Sequence, residues 1–209
     1  MAECGVRNGK SFFFGGWDSA ELAAKFGTPL YVYSEEAIRS RCKEARETFM
    51  GRGNGSLAVY AGKAFLTTAM CRIVASEGLG LDTVSGGELH TALKADFPME
   101  KVFFHGNSKT DEELRYAVEI GVGRIVADGP SELERIENIA RSCGRKAAVL
   151  LRVTPGVDAD THKYILTGHT GSKFGFPLSE DVLAETIGKY MKSEFLTLKG
   201  FHFHIGSQI

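Results

Sequence analysis

Lys63 closes the string Leu57-Ala-Val-Tyr-Ala-Gly-Lys63, and a lysine in that setting can do carbonyl chemistry. In a dry, partly cationic surrounding an ε-amine loses its proton and attacks a carbonyl carbon. Other chemically capable residues close similar apolar runs: Asp82 after Leu79–Leu81, His105 with Asn107 after Val102–Phe104, Arg152 after Ala148–Leu151, and His204 in Leu198–His204. Each has a plainer reading. Lys63 suits a strand-end lysine whose stem lies on apolar surface, His204 a satisfied core histidine, and Ser85 with Glu88 a helix cap that can also border a site. Arg152 suits a partner for Asp82. Their shared placement, not any one of them, points to a site.

That placement depends on the elements between them. From Ser56 onward short apolar runs, bounded by glycine or polar residues, alternate with amphipathic segments: 57–61, 79–82, 102–105, 124–127, 148–152 and 198–204. Runs this short read as buried parallel strands. The first five recur about every 20–25 residues, close to the minimum for a βαβ unit. Ser85-Gly-Gly-Glu88, Thr110-Asp-Glu-Glu113 and Ser131-Glu-Leu-Glu134 match the capping box and predict three helix starts. A βα series without a GxGxxG turn predicts a barrel rather than a dinucleotide-binding sheet. In a barrel these strand ends would all meet at one rim. Gly51–Gly55 precedes a strand and reads as an ordinary loop, and Thr170–Lys173 lacks the upstream glycines of a phosphate loop. Before this series, Ser11–Phe14 predicts a strand, Ser19–Phe26 a helix and Gly27–Tyr33 an extended segment outside the barrel.

The 209 residues are 43% hydrophobic and 24% charged, with a net charge of −1 and no basic stripe. Nucleic-acid binding and a charged interaction tail are not expected. Cys4, Cys42, Cys71 and Cys143 form no CxxC pair, so neither a metal site nor a disulfide framework is expected. With no signal-like start and no 18-residue apolar stretch, a soluble cytoplasmic chain is expected and a membrane role is not. For Lys63 two chemistries remain: a Schiff base with a sugar-like substrate, as in barrel aldolases, or attachment of pyridoxal 5'-phosphate (PLP).

Several strings, in colinear order from residue 28 to the end, resemble the diaminopimelate decarboxylases among the barrel-type, alanine-racemase-like PLP-dependent decarboxylases. They are Thr28-Pro-Leu-Tyr-Val-Tyr33, Val59-Tyr-Ala-Gly-Lys-Ala64, Asp82-Thr-Val-Ser-Gly-Gly-Glu-Leu89, Phe104-His-Gly-Asn107, Leu150-Leu-Arg-Val-Thr-Pro-Gly156, Ser172-Lys-Phe-Gly175 and Phe201-His-Phe-His-Ile-Gly-Ser-Gln208. The resemblance implies an α/β fold: a (β/α)8 PLP-binding barrel of the alanine racemase type, cut after about six strands. Residues 1–32 would be an N-terminal segment of the β domain and 33–209 the partial barrel. It implies PLP as cofactor, meso-diaminopimelate as the amino-acid substrate, L-lysine as product, and a homodimer. Lys63 would hold PLP covalently and then move protons; His204 would lie on the ring face; Gly206 and Ser207 would contact the phosphate. Asp82 and Arg152 would also contact the cofactor at the mouth, with His105, Asn107, Ser85 and Glu88 as further possible lining. Related decarboxylases of ornithine, arginine or carboxynorspermidine, a barrel racemase, and a non-catalytic homologue are the alternatives. At this length the chain reads as an N-terminal fragment, expected to be poorly soluble and inactive alone, with an exposed strand edge and apolar face.

Overall fold

The structure, a computed structural model, describes residues 4–7, 11–52, 55–155, 175–177 and 179–206. Two compact units emerge: Met1–Ala58 with Ile73–Leu79, and Val59–Arg72 with Gly80–Ile209. In the first, β1 (Cys4–Arg7), β2 (Ser11–Phe14) and β3 (Trp17–Asp18) form an antiparallel sheet in that order. Two helices follow, α1 (Ser19–Phe26) and α2 (Glu35–Thr48). Asp18 and Ser34 cap them, accepting the Ala20 and Ala37 N–H groups at 2.7 and 3.2 Å. Within this unit Glu77 receives Arg39 and Arg46 at 2.9 and 3.0 Å.

The second unit runs β4 (Val59–Ala61), the start of α3 (Thr68–Ser76, whose last four residues are counted with the first unit), β5 (Gly80–Thr83), α4 (Gly86–Lys94), β6 (Val102–Phe104), α5 (Asp111–Glu119), β7 (Arg124–Ala127), α6 (Pro130–Ser142), β8 (Ala147–Thr154), β9 (Phe176–Pro177), α7 (Glu180–Tyr190) and β10 (Leu196–His202). The strands are parallel and ordered β4-β5-β6-β7-β8-β10, with β9 on the far end of β8. Each new strand is added on the same side, so the sheet never reverses as a doubly wound sheet does. This is the winding of an α/β barrel. The six expected strands are all present, within a few residues of their predicted bounds; β9 was not predicted.

The register sorts the side chains by face. Thr83, Phe104, Ile125 and Val149 are successive partners on one side, and all four are at most 1% exposed. Helices cover that side with Leu114 of α5 and with Leu133 and Ile136, three residues apart on one face of α6, all fully buried. Each such side chain contributes about 1.5–3 kcal/mol on burial, so the core lies between sheet and helices. The opposite face carries Asp82 and Arg152 toward the C-terminal ends of its strands. On β10 the pairing with β8 shifts between Leu198 and Gly200, a bulge that leaves Lys199 unpaired.

The helix starts differ in one case from expectation. Thr110 and Glu113 form the complete capping box on α5. Ser85 accepts the Glu88 N–H, while the Glu88 carboxylate takes the Val84 N–H rather than that of Ser85. Ser131 caps nothing: α6 begins one residue earlier at Pro130, whose fixed φ and missing N–H suit the first helical position, and the N-cap is Gly129.

Candidate functional site

The polar face converges at the C-terminal ends of the strands. Ala61 pairs with Asp82, and His202 pairs with Arg152, so these ends stand level along the sheet. Beyond the end of β6, His105 donates its backbone N–H to Thr83 O and continues the ladder by one residue. The result is an open cleft of about 420 Å3 lined by Lys63, Asp82, His105, Asn107, Arg152, His202 and His204, among others. That volume suits a small molecule, for which sites span roughly 300–1,000 Å3.

Lys63 sits in a short 3-10 turn, Gly62–Ala64, directly after β4 and is exposed to the cleft rather than held in the dry setting expected. Arg152 does not pair with Asp82 but with Asp128, at 3.1 Å, because Asp128 follows the Ala127–Leu151 pairing and is level with it. Asp82 instead faces His105, with Oδ2 3.8 Å from Nδ1. The His105 and His202 rings meet at 4.5 Å between centroids, tilted by 57°. Burial first, then the neighbouring His105 and Arg152, pushes His202 from the usual 6.5 down to about 4. Burial first, then Arg152, Lys63 and His105, also lowers His204. Both imidazoles are therefore neutral near pH 7.

Ser85 and Glu88 are occupied at the α4 cap and are not among the residues lining the cleft. Gly206 is described, with φ 151°, but Ser207 lies outside the described residues, as do Gly156 and Ser172–Phe174. Gly175 is described: at φ 79° a Cβ there would lie 2.8 Å from the Arg152 carbonyl oxygen, so only glycine fits. His202 was not singled out from the sequence, although alternation along a strand puts it on the same face as His204.

Beneath the rim lies a charged cluster with no local sequence signal. Lys109 and Glu132 pair at 2.6 Å with side chains only 1% and 8% exposed. The cleft thus offers an amine, a fixed guanidinium, neutral imidazoles and a carboxylate. Among the described residues, the buried ring nitrogens His105 Nε2 and His202 Nδ1 have no hydrogen-bond partner. Buried nitrogens of this kind ordinarily have one. A small ligand carrying an aldehyde and several acceptor or donor atoms fits this set, as pyridoxal phosphate does. No group of three or more His, Cys, Asp or Glu that could hold a metal occurs among the described residues. Nor, among them, is any helix long and apolar enough to cross a membrane.

Comparison with known proteins agrees with this chemistry. Residues 35–209 match the family described as pyridoxal-dependent decarboxylase, pyridoxal binding domain. The chain is similar to the diaminopimelate decarboxylase of Bacillus subtilis, 48% identical over 93% of this chain and 44% of that protein. Its fold is similar to the crystal structure of diaminopimelate decarboxylase from M. jannaschii in co-complex with L-lysine, with a TM-score of 0.86 and 38% identity over 99% of this chain and 48% of that one. It shares the fold of a lysine/ornithine decarboxylase from Vibrio vulnificus at 21% identity and a TM-score of 0.68. The chain spans about half the length of these relatives.

Proposed function

The chain belongs to the pyridoxal-dependent decarboxylases, and from that premise we propose that it serves PLP-dependent decarboxylation of meso-diaminopimelate to L-lysine. The observation that carries this reading is Lys63 at the end of the first barrel strand, opening into a cleft shared with His204 and Arg152. The names of the relatives at 44–49% identity support the substrate. When bound, PLP supplies an electron sink for the negative charge left as CO2 departs.

The chain's own residues divide the remaining work. Lys63 Nζ holds the cofactor covalently and, once released, returns a proton to the substrate carbon. His204, kept neutral, offers an uncharged ring face. Asp128 fixes Arg152 in place, so its guanidinium is presented to carboxylate or phosphate oxygens in a set orientation. Asp82 holds the opposite charge at the level of Lys63, and the backbone at Gly206, with Ser207, serves the phosphate. His105 and Asn107 border the substrate side. We also assign residues 1–32 to the N-terminal part of a β domain and 33–209 to the partial barrel. The whole protein is proposed to act as a homodimer in the cytoplasm. Cys42 and Cys71, buried and unpaired, fit a reducing compartment.

The test uses the full-length protein loaded with PLP. Borohydride reduction and peptide mapping should label Lys63. Lys63→Ala should abolish the absorbance band of the attached cofactor and lower CO2 release from meso-diaminopimelate by at least about 10²–10⁴-fold, the usual worth of a positioned proton-transfer group. Label on another side chain would overturn the reading. Faster turnover of L-ornithine or L-arginine would keep the chemistry and replace the substrate.

A further inference from the structure

We propose that Lys109, which lies outside the cleft, is the positioning residue that sets His105, Gly106 and Asn107 in place for cofactor and substrate, an inference that rests on the function proposed above. An ammonium has three protons to donate, and here all three are used. Nζ donates to Gly106 O at 2.5 Å, to Val126 O at 2.8 Å and to Glu132 Oε1 at 2.6 Å. One atom thereby ties the loop after β6 to the C-terminal end of β7 and the first turn of α6. The Lys109 backbone is held as well: Arg135 of α6 donates to its carbonyl at 2.7 Å and pairs with Asp111 at 2.6 Å.

The loop so held is not at rest by itself. Gly106 has φ 110° and Ser108 φ 60°, and the left-handed region is costly for a residue with a side chain. Such a conformation persists when its surroundings over-determine it. Two members of this short loop, His105 and Asn107, face the cleft, whereas Lys109 points away from it into the protein.

Stability alone does not explain the pair. Burial lowers the Lys109 pKa and raises that of Glu132, in each case as the largest cause, so hydration lost by both charges opposes their attraction. Apolar residues of similar volume often replace such a pair without loss of stability. What they cannot replace is a donor that fixes Gly106 and Val126 carbonyls at the same point.

The experiment compares wild type, Lys109→Met/Glu132→Leu and Lys109→Arg in the full-length protein. For each, the thermal midpoint, PLP affinity from titration of the apo-protein, and the absorbance spectrum of bound PLP against pH are measured. The double variant leaves no lone buried charge and should melt within about 5 °C of wild type. Its PLP affinity should fall by about 10–100-fold and its spectrum should change, since small misplacements at a site are amplified. Lys109→Arg keeps the charge beside Glu132 but not three convergent bonds, and should lie between. Wild-type affinity and spectrum in the folded double variant would overturn the proposal. So would loss of folding in both variants, which would make the pair a folding element only. Failure of the wild type to attach PLP at Lys63 would be seen separately, and would count against the function instead.

Discussion

Two acidic residues, Glu77 and Glu132, sit in clusters of the same ingredients and behave oppositely. Glu77, its side chain 15% exposed, lies between the more exposed Arg39 and Arg46, and its carboxyl is held below the usual range, first by the hydrogen bond from Arg39. Glu132 has Lys109 at 2.6 Å, and its carboxyl is nevertheless raised, first by burial. Asp128 is raised for the same leading reason despite Arg152. In the first cluster partners outweigh desolvation; in the second desolvation outweighs partners. The signs follow. The contribution of Glu77 to stability is present above the ordinary glutamate pKa and is lost as pH falls through its lowered folded value. For Glu132 and Asp128 it is full below the ordinary pKa and is lost as pH rises through the raised folded value. Near neutrality the cluster around Glu77 helps folding, and the fully buried one spends stability to fix geometry.

The sharpest way to break this contrast is to remove one partner only. Lys109→Met leaves Glu132 buried without its counter-charge and should cost about 3–5 kcal/mol in urea unfolding, most of it restored by adding Glu132→Leu. A single-variant loss no larger than that from an exposed arginine would erase the distinction. Next in size is an acid effect. His202 is depressed from 6.5 to about 4 in the folded state, so its contribution is present above pH 6.5 and lost as pH falls through about 4. A His202→Leu variant should lose less stability than wild type between those values, read from thermal midpoints across the range. The smallest effect is expected for Arg39→Ala. Its midpoint should fall slightly at low salt, and the difference should vanish near 1 M salt, because exposed pairs are screened.

How far the sequence reveals these features depends on how local their cause is. The strands at 59–61, 80–83, 102–104 and 124–127 were readable because each is a short apolar run between breakers, and α5 because its cap is complete within four residues. The convergence of Lys63, Asp82, His105, Arg152 and His204 was readable because parallel barrel winding brings strand ends together. Other features were not. Glu132 lies 23 residues from Lys109, and a lysine 3% exposed runs against the habit of that residue type. The partner of Arg152 depended on register, which turns on which residue of β7 stands opposite Leu151. The start of α6 was misread because Ser131 and Glu134 imitate a cap while Pro130 sets the first turn. β9, with two residues, has too little pattern to detect.

The unpaired Lys199 decides which histidines belong to the cleft at all. Because side chains alternate along a strand, an extra residue reverses every facing downstream of it. With the irregularity, Phe201 stands beside Leu151 and His202 beside Arg152. In an uninterrupted ladder His202 would stand beside Val153 instead, and the phenylalanines would point where the imidazoles now do. Deleting Lys199 should therefore close the ladder and leave Phe201 beside Leu151 and His202 beside Arg152, with the imidazoles still on the cleft side.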